Sequence, residues 1–152
     1  MAILRFNPAQ TGADATTSMA MNLPALDGKS GYEFRAIEVY WKNVESAAAA
    51  DYEIYVAVQK VTGALAERIA IDDWIVGVSW AQQNTGGVAV AVNTEPYKSQ
   101  VLITPIVTVA PDLQLVIVSG ATAQTNQFGV IVHYDLVKLS EIEYLRLLAA
   151  GG

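Results

Sequence analysis

The chain of 152 residues contains no cysteine and a single histidine, His133. The first absence removes disulfides, thiolate nucleophiles and cysteine-based zinc sites. The second leaves any transition metal with one imidazole, so that a site would have to be completed by carboxylates alone. Charge is also scarce, at 16% of residues where soluble domains average about 25%. Nine basic residues stand against 15 acidic ones, for a net charge of −6, and the basic residues form no run. Nucleic-acid binding requires several phosphates to be neutralised together, so this distribution argues against it. It argues equally against attraction to an anionic membrane. No apolar run approaches the ~20 residues of a membrane-spanning helix, because Asp, Asn, Gln or Lys interrupts each one. Residues 1–8 lack the basic start and apolar stretch of a signal peptide. The expectation is a soluble product made without export.

Signatures of reactive chemistry are missing too. Neither Ser79 nor Ser119 stands in a nucleophile-elbow pattern, and His133 would have to act as sole base. The glycines at 86–87 and 28–31 match neither phosphate-cradling fingerprint. Asp14 and Asp27 lack the alternating oxygen-ligand spacing of a calcium loop. Asp72 and Asp73 are the one adjacent carboxylate pair, placed just before Trp74 where a turn into a strand is expected. These patterns predict no catalytic residue, no cofactor and no metal, hence a protein that is not an enzyme.

What the chain does have is apolar sequence in a two-residue rhythm. Hydrophobic residues make up 53% of it, and the β-branched stretches over 101–109, 113–119 and 128–139 read as strands. Ala110, Pro111 and Asp112 mark one turn between them, and 120–127 the other. Upstream, Ile37, Val39 and Trp41 alternate with Glu38, Tyr40 and Lys42. Tyr52, Ile54, Val56 and Val58 alternate with Glu53, Tyr55, Ala57 and Gln59. Such alternation marks a sheet with one face in the core. The short linker at 46–50 predicts that these two strands form a hairpin-like pair. Trp74, Val76, Val78 and Trp80 make a further face, and all three tryptophans (41, 74 and 80) read as core. The turn signal at 84–87 leads to a strand at 88–92. Residues 62–68 read as a loop or one helical turn. The pattern predicts an all-β, two-sheet sandwich of jelly-roll type with about eight strands.

The two ends differ from this body. Apart from a short strand candidate at 3–6, residues 1–32 are polar, small and irregular, with a turn cluster at 27–31. They read as a leader, or as an extended arm that orders against a neighbouring subunit. At the other end, Ser140 and Glu143 form a capping box, flanked by the staple pair Leu139 and Tyr144. A helix is expected to about 150, with Ile142, Leu145 and Leu148 on one face. The division is therefore 1–32 arm, 33–139 sandwich and 140–152 helix and tail.

A chain so poor in charge cannot cover its own surface with it, and monomers rarely leave large apolar patches in water. Oligomerisation follows as an expectation. Tyr40 and Tyr55, on the expected outward faces of neighbouring strands, are candidate interface anchors together with Ile142, Leu145 and Leu148. The alternative is a carbohydrate-binding module or receptor-binding head that stacks sugar on the two tyrosines. A cupin-like enzyme would need a metal, which one histidine does not support.

The irregular start at 7–31, the run of strands over 34–139 and the tail at 140–150 together resemble the small β-sandwich proteins of icosahedral bacterial and archaeal virus shells. Those are capsid jelly rolls and the decoration (cement) proteins seated on them. The resemblance implies a non-enzymatic virion protein, assembled in the host cytoplasm into trimers or larger capsomers beside other shell proteins. Shell proteins that touch the genome often carry a basic N-terminal arm, whereas residues 1–31 hold only Arg5 and Lys29. The resemblance therefore implies a place away from the genome.

Overall fold

The computed structural model describes residues 1–10, 16–42, 52–60, 74–82, 96–120 and 126–151. Eight strands and one helix follow in order: β1 (Ala2–Phe6), β2 (Thr16–Ala20), β3 (Ser30–Trp41), β4 (Tyr52–Lys60), β5 (Trp74–Gln82), β6 (Tyr97–Thr108), β7 (Leu113–Gly120), β8 (Phe128–Lys138) and α1 (Glu141–Ala149). They form two four-stranded antiparallel sheets, β1-β8-β3-β6 and β2-β7-β4-β5. The pairs β1–β8, β2–β7, β3–β6 and β4–β5 nest inside one another, as in a long antiparallel ribbon wound into a sandwich. This is the jelly-roll arrangement.

The core lies between the sheets. Phe34, Ile37, Val39, Phe128, Val130 and Val132 come from the first sheet, and Ile54, Val56, Val58, Leu115 and Ile117 from the second; all are buried. Each large apolar side chain so buried stabilises the fold by roughly 1.5–3 kcal/mol relative to exposure. Aromatic contacts tie the sheets at one end, where Trp41 stacks on Phe128 (6.1 Å) and meets Trp80 edge-on (5.9 Å). At the other end Tyr134 contacts Tyr32 and Phe34.

Two bulges set which side chains face out. On β3 the register shifts between Phe34 and Ala36 against both β6 and β8. The period breaks there: Tyr32 and Phe34 point in, then Ile37, Val39 and Trp41, leaving Arg35 and Ala36 together on the outer face. β6 carries three extra residues at the same level, since Phe34 pairs with Ile106 and Ala36 with Val101; Ile103 is fully exposed there. The second bulge lies on β5, where Val58 pairs with Val76 but Gln59 with Trp74. Ile75 and Val76 both enter the core. Trp74 is thereby turned to the outside, where it meets Tyr55 edge-on at 5.4 Å. It is not the core residue that its alternation with Val76 predicts.

Two further expectations are corrected. β3 and β4 do not pair as a hairpin, because they belong to different sheets. Residues 1–10 and 16–32 are not a separate arm. β1 pairs with β8 along its whole length and β2 with β7. Met21 is buried in the core, Leu23 and Leu26 pack against it, and the Tyr32 hydroxyl donates to the Pro24 carbonyl. Apolar side chains spaced through an irregular stretch carry no period, so the sequence hides their common destination. The turn cluster is as expected: Gly28 has φ +76°, and the Lys29 amide donates to Asp27 Oδ1 at 2.9 Å. The expected features at 46–50, 62–68, 84–87 and 88–92, and the Asp72–Asp73 pair, lie outside the described residues.

α1 begins where its sequence predicts. The Ser140 amide donates to Glu143 Oε2 at 2.8 Å, and the Glu143 amide donates back to Ser140 Oγ at 3.3 Å. The Ser140 bonds hold the Glu143 carboxyl below the usual glutamate range. None of its residues is buried.

Candidate functional site

The outer faces of the two sheets differ in character. On the second sheet Ala57, Gln59, Val116 and Val118 point away from the core and are nevertheless buried. On the first sheet the outer face is open and mixes charged with apolar side chains, and the register builds it row by row. Ile3, His133, Ala36 and Val101 make one row; Arg5, Ile131, Glu38 and Ser99 the next; Gly129, Tyr40 and Tyr97 the third.

Glu38 is its centre. His133 Nε2 lies 2.6 Å from Glu38 Oε1, and the Tyr97 hydroxyl donates to Oε2 at 3.0 Å. The His133 bond first, and the Tyr97 bond second, hold the Glu38 carboxyl below the usual glutamate range. Beside this trio, Asp135 accepts from the Met1 ammonium at 2.7 Å and from Arg35 Nε at 2.9 Å. These partners, the terminal ammonium foremost, lower the Asp135 pKa. Arg35 also pairs with Glu33.

Two grooves meet at Glu38 and Tyr97. The smaller, of about 240 Å³, runs between Tyr40 and Gly129 on one side and Arg5 and Asn7 on the other. The larger, of about 600 Å³, passes His133 and Arg35 toward the bulged Val101, Ile103 and Pro105. A third, beside the start of α1, is lined by Lys29, Leu139, Tyr144 and Leu145. Among the described residues no three His, Asp or Glu side chains group so as to hold a metal ion. Among them, too, no helix is long and apolar enough to cross a membrane.

The residues singled out from the sequence fall into two sets. Ile142, Leu145 and Leu148 come together on one stripe of α1, exposed by 65, 54 and 51%. Tyr40 and Tyr55 do not come together. Tyr40 is 51% exposed on the first sheet, whereas Tyr55 is half-buried against Trp74 on the second. The neighbour of Tyr40 is Tyr97, directly opposite it on β6 and 47% exposed. Tyr97 was not legible in the sequence because Lys98, Ser99 and Gln100 interrupt the apolar rhythm, and β6 starts four residues before the expected 101. Those polar residues are explained by the seam between the sheets. Lys98 Nζ donates to the Ser79 carbonyl at 2.7 Å, and the Gly77 amide donates to Gln100 Oε1 at 2.8 Å, so both bonds lie along the outer side of β5, the last of the described strands in its sheet.

No protein-family model and no curated protein sequence matches the chain.

Proposed function

We propose that the protein is a structural virion protein, a jelly-roll subunit that assembles with copies of itself to form or decorate an icosahedral shell. The observation that carries this reading is α1. A capping box defines the helix sharply, yet it buries none of its residues, and Ile142, Leu145 and Leu148 form an apolar stripe open to solvent. A helix of nine residues is too short to persist in water on propensity alone. A subunit contact over the stripe supplies what its own chain does not. The bulged segment of β6, with Val101 and Ile103 exposed, offers a second apolar surface of the same kind. The negative net charge and the use of residues 1–10 and 16–32 within the sandwich favour a layer that does not touch the genome. In this role the protein is not an enzyme and needs no cofactor.

Light scattering of the purified protein over a range of concentrations tests the reading. A trimer or larger capsomer is expected, with particles visible by electron microscopy. Leu145→Asp is expected to dissociate it without lowering the melting temperature of the subunit, because Leu145 contributes little to the subunit's own core. A monomer at every concentration overturns the proposal.

A further inference from the structure

We propose that the smaller groove on the first sheet is a binding site for a neutral carbohydrate, one pyranose ring resting against Tyr40 and Tyr97 with its hydroxyls on Glu38 and Arg5.

Three features lead there. The first is an aromatic platform that the core does not use. Tyr40 and Tyr97 are cross-strand partners, each about half exposed, on the face of the sheet that looks to solvent. The apolar C–H face of a sugar packs on such rings, while the Tyr97 hydroxyl keeps its bond to Glu38. The second is room beside the platform. Gly129 occupies the β8 position next to Tyr40, so that position puts no side chain into the groove. The resulting space of about 240 Å³ suits a single ring and is too small for a larger ligand to be enclosed.

The third is the balance of donors and acceptors. Glu38 is held in place from both sides, by His133 on Oε1 and Tyr97 on Oε2, and each oxygen retains a further acceptor position. Its ionised form is favoured by those bonds. Across the groove Arg5 supplies donors, and among the described residues it has no carboxylate partner. Asn7 is anchored by Lys42, whose Nζ donates to Asn7 Oδ1 at 2.8 Å. An anionic ligand would meet Glu38, and a cationic one would meet Arg5 and Lys42. A neutral polyol pairs with both signs at once, because each hydroxyl donates and accepts. The groove on the far side of Glu38, with its apolar end at Val101 and Ile103, lacks the tyrosine platform's second ring.

The site does not depend on assembly into a shell. The full-length protein is titrated with the methyl glycosides of glucose, galactose, mannose and N-acetylglucosamine, and amide chemical shifts are followed by NMR. At least one glycoside is expected to give saturable shifts centred on Tyr40, Tyr97 and Gly129. Tyr40→Ala and Tyr97→Ala should each weaken that binding by about tenfold, the scale of one lost aromatic contact. Arg5→Gln should weaken it by a hydrogen bond's worth, with an unchanged melting temperature. Leu145→Asp should leave it intact even where it abolishes assembly. The proposal is overturned if none of the four glycosides saturates, if the shifts map elsewhere, or if they survive in a folded Tyr40→Ala, Tyr97→Ala double variant.

Discussion

β7 and β8 are successive strands in opposite sheets, and their sequences differ as their surroundings do. β7 opens with six buried residues in succession, Leu113 to Val118, including Gln114. β8 alternates strictly, with Phe128, Val130, Val132 and Tyr134 buried and Gly129, Ile131, His133 and Asp135 between them on the outer face. A strand covered on both sides has no polar phase, whereas one with a solvated side keeps it. The lesson extends to function. Along β4 and β7 the outer face of the second sheet is covered at Ala57, Gln59, Gln114, Val116 and Val118, while Glu38, His133, Arg35 and Asp135, and both grooves at Glu38, lie on the first.

The largest loss is expected from the shared core. Phe128 is fully buried between the sheets against Trp41 and Trp80. Phe128→Ala is expected to cost about 3–5 kcal/mol, measured as the shift in a urea unfolding curve at constant slope. Next come the two outer faces, which a pair of glycines compares directly. A Cβ at Gly77 would stand 2.7 Å from the Ala57 Cβ and 2.9 Å from the Trp74 ring. Gly77→Ala is expected to destabilise by roughly 1–3 kcal/mol through overpacking.

The open face also differs in its response to acid. Glu38 and Asp135 have folded-state pKa values below their ordinary ones, so the unfolded chain binds more protons as the pH falls into the carboxylate range. Their contribution is present above the unfolded pKa and is lost as the pH drops through the folded one. Glu38→Gln should therefore be less stable than the parent near neutrality and converge with it in acid. Thermal melts across that range check this; a difference that widens in acid would contradict it. The smallest effect belongs to Gly129, where an added Cβ meets only Lys42 and Tyr40 atoms at 3.7 and 3.9 Å. Gly129→Ala should change stability by no more than about 0.5 kcal/mol. If it proved as damaging as Gly77→Ala, the contrast between the two faces would fail.

Much of the fold was readable before the structure. The β7 run, the β8 alternation, the Ala110–Asp112 turn and the Ser140–Glu143 cap all lie where their residues place them, because each is decided by neighbours a few positions apart. His133 lies on the face opposite Val130, Val132 and Tyr134, where the two-residue rhythm of 128–139 puts it. Trp74 was misread because one bulge residue reverses the period of a strand, and bulges leave no consistent mark in composition. Of the candidate site, Tyr40 was legible as an outward aromatic; Glu38 and Tyr97 were not, since neither is unusual within its own strand.

By itself, then, the sequence determined the strands' rhythm, the capped helix, the charge-poor surface and the want of cysteine or clustered histidine. These are properties of composition and of short-range period. Only the tertiary structure decided that β1 pairs with β8 across more than a hundred residues, and that residues 2–6 and 16–20 build strands of opposite sheets. It also decided that Tyr40 faces Tyr97 rather than Tyr55. Pairing depends on which exposed edge and which apolar face meet after the chain has wound on itself, and that energy is shared between segments too far apart for local pattern to record.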